Sequence, residues 1–131
     1  MQNGKDKGAE KFIVEYNKLN DQQRKAVNTI EGPVMVSAGP GTGKTQVLAL
    51  RIGSILQQTD TQPNNILCLT YTDNGAIEMR NRLLTIIGSA AYKVRIHTFH
   101  SFCNEVIQDN LTWFGKLNLA PIADLEEIDL F

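Results

Sequence analysis

Eight consecutive residues, Ala38-Gly39-Pro40-Gly41-Thr42-Gly43-Lys44-Thr45, bring three glycines, an ammonium group and hydroxyls into one short stretch. Glycine at 39, 41 and 43 lets the backbone wrap an anion, with N–H groups turned inward where a side chain would block the approach. The stretch ends in the Gly-Lys-Thr of the GxxxxGK[ST] pattern, with Ala38 in place of its first glycine. In that chemistry Lys44 reaches the β- and γ-phosphates of a nucleoside triphosphate as a mobile point charge. The Thr45 hydroxyl holds the Mg²⁺ that bridges the same phosphates. The helix that follows adds its positive end. The expected ligands are therefore ATP and Mg²⁺, held by residues 38–46, with Lys44 and Thr45 as the catalytic pair and Thr45 as the metal ligand. The plainer alternative is a glycine-rich turn that happens to precede a helix.

Such a loop needs a strand to deliver it and a helix to receive it. Residues 34–37 form a short apolar run entering the glycines, which suits a buried strand. Residues 43–57 carry Val47, Leu48, Leu50, Ile52 and Ile55 and read as the helix. Two further pairs follow: a strand at 66–70 with a helix at 74–87, and a strand at 94–98 with a helix at 100–108. Strand and helix alternating in series imply an α/β fold with a parallel sheet covered by helices. Upstream, residues 9–19 place Phe12, Ile13 and Tyr16 at helical spacing, and a short helix spans 21–28 with Asn20 or Asp21 as its N-cap. Residues 1–8 are polar and glycine-punctuated and read as a mobile tail. Trp113, Phe114 and Gly115 suggest a packed turn, and residues 121–131 a short acidic helix.

The loop alone does not name a reaction, because many functions share it. Its neighbours are more specific. Leu19-Asn20-Asp21-Gln22-Gln23-Arg24-Lys25-Ala26-Val27 resembles the Q motif of superfamily 1 DNA helicases of the UvrD/Rep kind. Thr70-Tyr71-Thr72-Asp73-Asn74-Gly75-Ala76-Ile77-Glu78-Met79 looks like that family's motif Ia. Ile96-His97-Thr98-Phe99-His100-Ser101-Phe102-Cys103 looks like its motif Ib. The resemblance covers residues 19–107 and implies an incomplete P-loop NTPase fold of the RecA-like kind. In these terms residues 9–109 are the N-terminal part of motor domain 1A, and residues 110–131 an acidic C-terminal segment. By the same resemblance, the glutamine matching Gln23 reads the adenine edge, since an amide both donates and accepts. The two later motifs line a channel for single-stranded DNA. There Tyr71 can stack on a base, and Thr72, Asn74, Thr98, His100 and Ser101 can meet the strand. Phe99 and Phe102 read as core, and His97 as structural, with no metal site.

Departures from the family pattern bear on these roles. Motif Ia usually carries Asn-Lys where this chain has Asp73-Asn74, which exchanges a positive charge for a negative one on the proposed DNA path. The arginine that commonly follows the loop threonine is replaced by Gln46, and the apolar strand ending in Asp-Glu that polarises the attacking water has no counterpart. Glu126-Glu127 and Asp129 do not follow an apolar strand. The chain is therefore expected to be a piece of a longer protein, inactive by itself and dependent on the remaining helicase domains. Family folds also imply sheet strands between the loop strand and the motif Ia strand. Without them, buried backbone groups would go unpaired at about 1–3 kcal/mol each, leaving the chain marginally stable. The intact enzyme implied is an ATP-dependent 3′-to-5′ DNA helicase. The alternatives are a nucleotide-binding module without catalysis, or another P-loop NTPase.

Composition is compatible with this reading without choosing it. A chain of 131 residues with 42% hydrophobic content can bury one core. The net charge of −1 hides an excess of +3 over residues 41–100 and −5 over 101–131, so only the middle could attract a polyanion. Cys68 and Cys103 lack the spacing of a zinc or redox pair and read as reduced, buried thiols. No run approaches a membrane span, and the polar start lacks the apolar core of a signal peptide, so a cytoplasmic location is expected.

Overall fold

The chain is described by a computed structural model over residues 3–114. The expected acidic helix at 121–131 and the Glu126, Glu127 and Asp129 carboxylates lie outside the described residues. Within them the order is α1 (Asn3–Asn17), α2 (Asp21–Asn28), α3 (Lys44–Gln58), β1 (Leu67–Thr70), α4 (Asp73–Ile87), β2 (Arg95–Thr98) and α5 (Phe99–Asp109). Short 3₁₀ turns at Pro63–Asn65 and Gly88–Lys93 lead into the two strands.

Local chemistry accounts for where the helices begin. Asn20 accepts a hydrogen bond from the Gln23 N–H at 2.9 Å while the Gln23 side chain accepts one from the Asn20 N–H at 3.0 Å, a reciprocal box that starts α2. Thr72 accepts from the Gly75 N–H at 3.0 Å to start α4, and Thr98 from the Ser101 N–H at 3.2 Å to start α5. Each hydroxyl satisfies one of the N–H groups that a helix start leaves open.

The strands β1 and β2 pair in parallel, Leu67 opposite Arg95 and Thr70 opposite Thr98. A parallel pair needs a crossover, and α4 supplies it, packing on both strands. Helix α4 also packs on α1 and α3, so its inward face lies at the centre of the molecule. Leu83 and Ile86 of α4, Leu50 of α3, Val27 of α2 and Val94 before β2 are buried together, with Phe12 of α1 against them. Arg80 ties the crossover shut by donating to the Ala91 and Val94 carbonyls at 2.6 and 2.8 Å.

Four expectations are corrected. Residues 34–37 are not a strand: the stretch has no strand partner among the described residues, and Met35 is 92% exposed. Two strand–helix pairs therefore stand where three were expected. The backbone at 33–37 faces water, so the penalty anticipated for buried, unpaired groups does not arise there. What is left instead is exposed apolar surface on Val34, Met35 and Val36. The first helix begins at Asn3, not at residue 9, and its Gly8 lies beside the backbone of Ile86–Gly88 at the end of α4. Trp113 is 86% exposed, so it does not form a packed turn with Phe114. Cys103 is exposed on α5, whereas Cys68 is buried in β1 as expected.

Burial pushes the Cys68 thiol above the ordinary thiol range, opposed in part by the Arg80 guanidinium. Because the thiolate is the reactive form, a disulfide reagent at about pH 8 should titrate Cys103 in the folded chain and Cys68 only on unfolding. Equal rates for the two thiols would contradict the burial assigned to β1. Leu83, fully buried beneath α1 and α3, should lose about 2–5 kcal/mol of unfolding free energy on substitution by Ala, read by denaturant titration.

Candidate functional site

The glycine-rich stretch forms a closed turn ahead of α3. Gly41 and Gly43 adopt φ of +72° and +77°, where a side chain costs roughly 1–2 kcal/mol. The Thr42 hydroxyl donates to the Gly39 carbonyl at 2.7 Å, and the Lys44 ammonium folds back to the Ala38 and Gly39 carbonyls at 3.3 and 3.1 Å. The lysine thus lies across the turn, not away from it. From the opposite side the Gln23 amide donates to the Thr42 carbonyl at 3.0 Å, joining α2 to the loop.

These residues wall a cleft of about 920 Å³. Asn20, the cap of α2, with Gln22 and Gln23 of that helix forms one side and loop residues 37–39 and 41–44 another. Val47, Leu48 and Arg51 of α3 complete it with Val34 and Val36. Of the residues expected to hold a nucleotide, the structure brings together Gln23, Ala38, Gly39, Gly41, Thr42, Gly43 and Lys44 around this cleft. Pro40 is exposed on the turn, and Thr45 is half-buried in the first turn of α3; neither lines the cleft. The Gln23 amide keeps one N–H and one oxygen lone pair beyond the two bonds it makes, enough for an adenine edge.

Gln46 departs from its expected place. Its amide donates to Glu15 of α1 at 3.0 Å and accepts from Arg82 of α4 at 2.9 Å, and Arg82 also bonds Glu78 at 2.9 Å. The residue after the loop threonine is one turn position away from the cleft side of α3, so its side chain reaches the neighbouring helices.

A second group of residues gathers at the C-terminal ends of the two strands, where parallel sheets commonly present ligand sites. Tyr71 follows β1 and Phe99 follows β2, so the strand register sets them side by side. Their ring centroids are 5.2 Å apart, and Tyr71 is 89% exposed. Phe99, expected in the core, is instead 43% exposed because it is the first residue past the strand. The signal available in the sequence was that both aromatics immediately follow a threonine-ended strand. Asn74, His100 and Ser101 are exposed nearby, while the Thr72 and Thr98 oxygens cap their helices. A capping hydroxyl accepts with a lone pair and keeps its own proton for another acceptor. His97 lies 3.3 Å from Glu105, which also holds Arg95 at 2.7 Å.

The basic excess of the middle segment is largely bonded within the fold. Arg51 donates to the Ala26 carbonyl, and Arg80, Arg82 and Arg95 make the contacts given above. Among the described residues, no helix is long and apolar enough to cross a membrane, and no cluster of three acidic, histidine or cysteine side chains could hold a metal ion.

Substituting Gln46 by Ala removes its hydrogen bonds to Glu15 of α1 and Arg82 of α4 and should lower the unfolding free energy by about 1–2 kcal/mol. If Gln46 touched the cleft's ligand, nucleotide affinity measured by calorimetry would fall in parallel; this geometry has it stay within about twofold.

The UvrD/REP helicase N-terminal domain family matches residues 19–129 of the chain. The chain is 40% identical over 108 residues to the ATP-dependent DNA helicase PcrA of Staphylococcus aureus, covering 82% of this chain and 15% of that protein. It is 41% identical over 106 residues to PcrA of Staphylococcus epidermidis, covering 81% and 14% respectively. The chain thus spans about 15% of the length of the curated relatives it matches.

Proposed function

Because the chain belongs to the UvrD/REP helicase N-terminal domain family, we propose that it is the ATP-binding part of an ATP-dependent 3′-to-5′ DNA helicase or translocase acting on single-stranded DNA. One observation carries the nucleotide half of this reading. Every side-chain bond to the loop ends on a carbonyl: Gln23 on Thr42, Thr42 on Gly39, and Lys44 on Ala38 and Gly39. Among the described residues no side chain takes a backbone N–H of residues 38–44, so no side chain blocks the loop's donors from an anion. An ammonium group stands in the same turn, free to exchange weak carbonyl contacts for charged phosphate oxygens.

The residues that line the cleft fit a triphosphate: Lys44 would neutralise the phosphates and the N–H groups at the start of α3 would add their partial charge. Thr45, the residue that would hold Mg²⁺, stands next to Lys44 in the first turn of α3 and would have to turn its hydroxyl toward the cleft. A bound Mg²⁺ would supply charge neutralisation between the β- and γ-phosphates. Gln23, on the opposite wall, is placed to meet the base. No carboxylate stands among the residues that line the cleft, which supports a second reading for this segment by itself: binding without turnover.

The strand half of the proposal rests on the Tyr71–Phe99 edge. Two exposed rings offer stacking faces that accept any base, and the Thr72 hydroxyl, which only accepts in capping α4, keeps its proton for a phosphate oxygen. The remaining domains of the natural polypeptide are the partners that would complete hydrolysis and movement.

Calorimetry of this chain with Mg·ATP tests the reading directly. Lys44→Ala should weaken binding by roughly 10- to 100-fold, the weight of a charged hydrogen bond to phosphate. In the natural polypeptide, the same change should abolish DNA-stimulated ATP hydrolysis. Undiminished affinity in Lys44→Ala would remove the loop from the site.

A further inference from the structure

Gln23 makes more contacts than reading a base requires. Its amide oxygen accepts from the Asn20 N–H at 3.0 Å, and its amide nitrogen donates to the Thr42 carbonyl at 3.0 Å. An amide is planar, so fixing its oxygen on the helix start fixes the direction of its nitrogen. That nitrogen in turn holds the peptide between Thr42 and Gly43. In a trans peptide, C=O and N–H point to opposite sides, so anchoring the Thr42 carbonyl toward α2 aims the Gly43 N–H away from α2. Gly43 has φ of +77° and Gly41 +72°. Glycine moves between backbone regions at little cost, so this peptide is free to turn over unless its carbonyl is held. Gln23 is the one side chain from outside the loop that bonds it among the described residues.

We propose that Gln23 is a positioning residue for phosphate binding: the capping box of α2 orients its amide, and the amide holds the Thr42–Gly43 peptide with its N–H directed for an anion. This rests on the nucleotide-binding reading and deepens it, because it assigns the glutamine a role in triphosphate affinity that is independent of the base. The helix cap and the loop are then one device, with the N-terminus of α2 setting the donor geometry of a loop nineteen residues away.

The two functions of the amide can be separated by substitution. Gln23→Glu keeps an oxygen for the Asn20 N–H, as a capping box accepts either residue, but it replaces the donor facing the Thr42 carbonyl with another acceptor. Gln23→Ala removes both bonds. Gln22→Glu places the same added charge on the neighbouring cleft residue, which makes no bond to the loop, and so measures the effect of charge alone. Each variant is titrated by calorimetry with ATP and with inorganic tripolyphosphate, and its melting temperature is recorded. The expected result is that Gln23→Glu melts with the wild type and yet binds tripolyphosphate about threefold or more weaker than Gln22→Glu does. Should Gln23→Ala fail to fold, the Gln23→Glu comparison stands without it. Equal tripolyphosphate affinity in Gln23→Glu and Gln22→Glu, with only ATP affected, would confine Gln23 to the base and overturn the proposal. So would a wild type that binds ATP but not tripolyphosphate. A wild type that binds neither probe refutes the nucleotide-binding reading itself, before any variant is compared.

Discussion

The shape of the loop at 38–44 depends on where its carbonyls go. A backbone segment with no strand partner must satisfy its polar groups by other means, and this one does so asymmetrically: side chains take the oxygens and leave the N–H groups. The consequence is a turn whose N–H groups no side chain blocks, close to an ammonium ion. Such a turn suits the anion proposed for it. Had the same side chains been acceptors bonded to the N–H groups, the same glycines would have produced a turn with no affinity for phosphate.

The loop is also coupled to the core by its second half. Residue 44 is already the first residue of α3, and Val47 and Leu50, within two turns of it, are buried among α1, α2 and α4. A shift at the loop is therefore a shift of packed side chains, which close-packed interiors resist. Gln46 reinforces this from the far face, where its amide joins α1 and α4 at the level of the first helical turn. The first half of the loop has no such anchor, because residues 33–37 run exposed. One end of the turn is thus fixed by the core and the rest by the side-chain bonds of Gln23, Thr42 and Lys44, which is why those three side chains govern its geometry.

Much of this was legible in the residues. The glycine spacing, the caps at Asn20, and the alternation of strand and helix after residue 58 come from local signals, and those elements stand within a residue or two of where periodicity put them. What could not be read was long-range. An apolar run such as residues 34–37 spells a strand only if a neighbouring strand offers it hydrogen bonds, and the described residues contain none for it. Gln46 looked like a ligand because of its place beside Thr45, yet a helix turns each successive side chain by about 100°, enough to carry it to α1 and α4. Phe99 and Cys103 looked buried because they are apolar, but α5 rests on the sheet with no buried residue of its own, so neither has a core to enter.

That same feature bears on the Tyr71–Phe99 edge. Register alone brings Tyr71 to Phe99: with Thr70 opposite Thr98, the next residue of each strand must be adjacent, and a slip of one position would part them. The rings remain exposed because each strand stops at a threonine, Thr70 or Thr98, and a helix begins within three residues of it, so the chain turns away before the aromatics can be covered. Four of the segment's arginines are bonded into the fold, and Asp73 begins α4 beside Tyr71. A nucleic-acid strand on this edge, as proposed, would thus meet ring faces and hydroxyls before it met mobile cations. Its hold would come from stacking more than from charge, as at single-strand platforms where bases are gripped by their π-faces and sequence is not read.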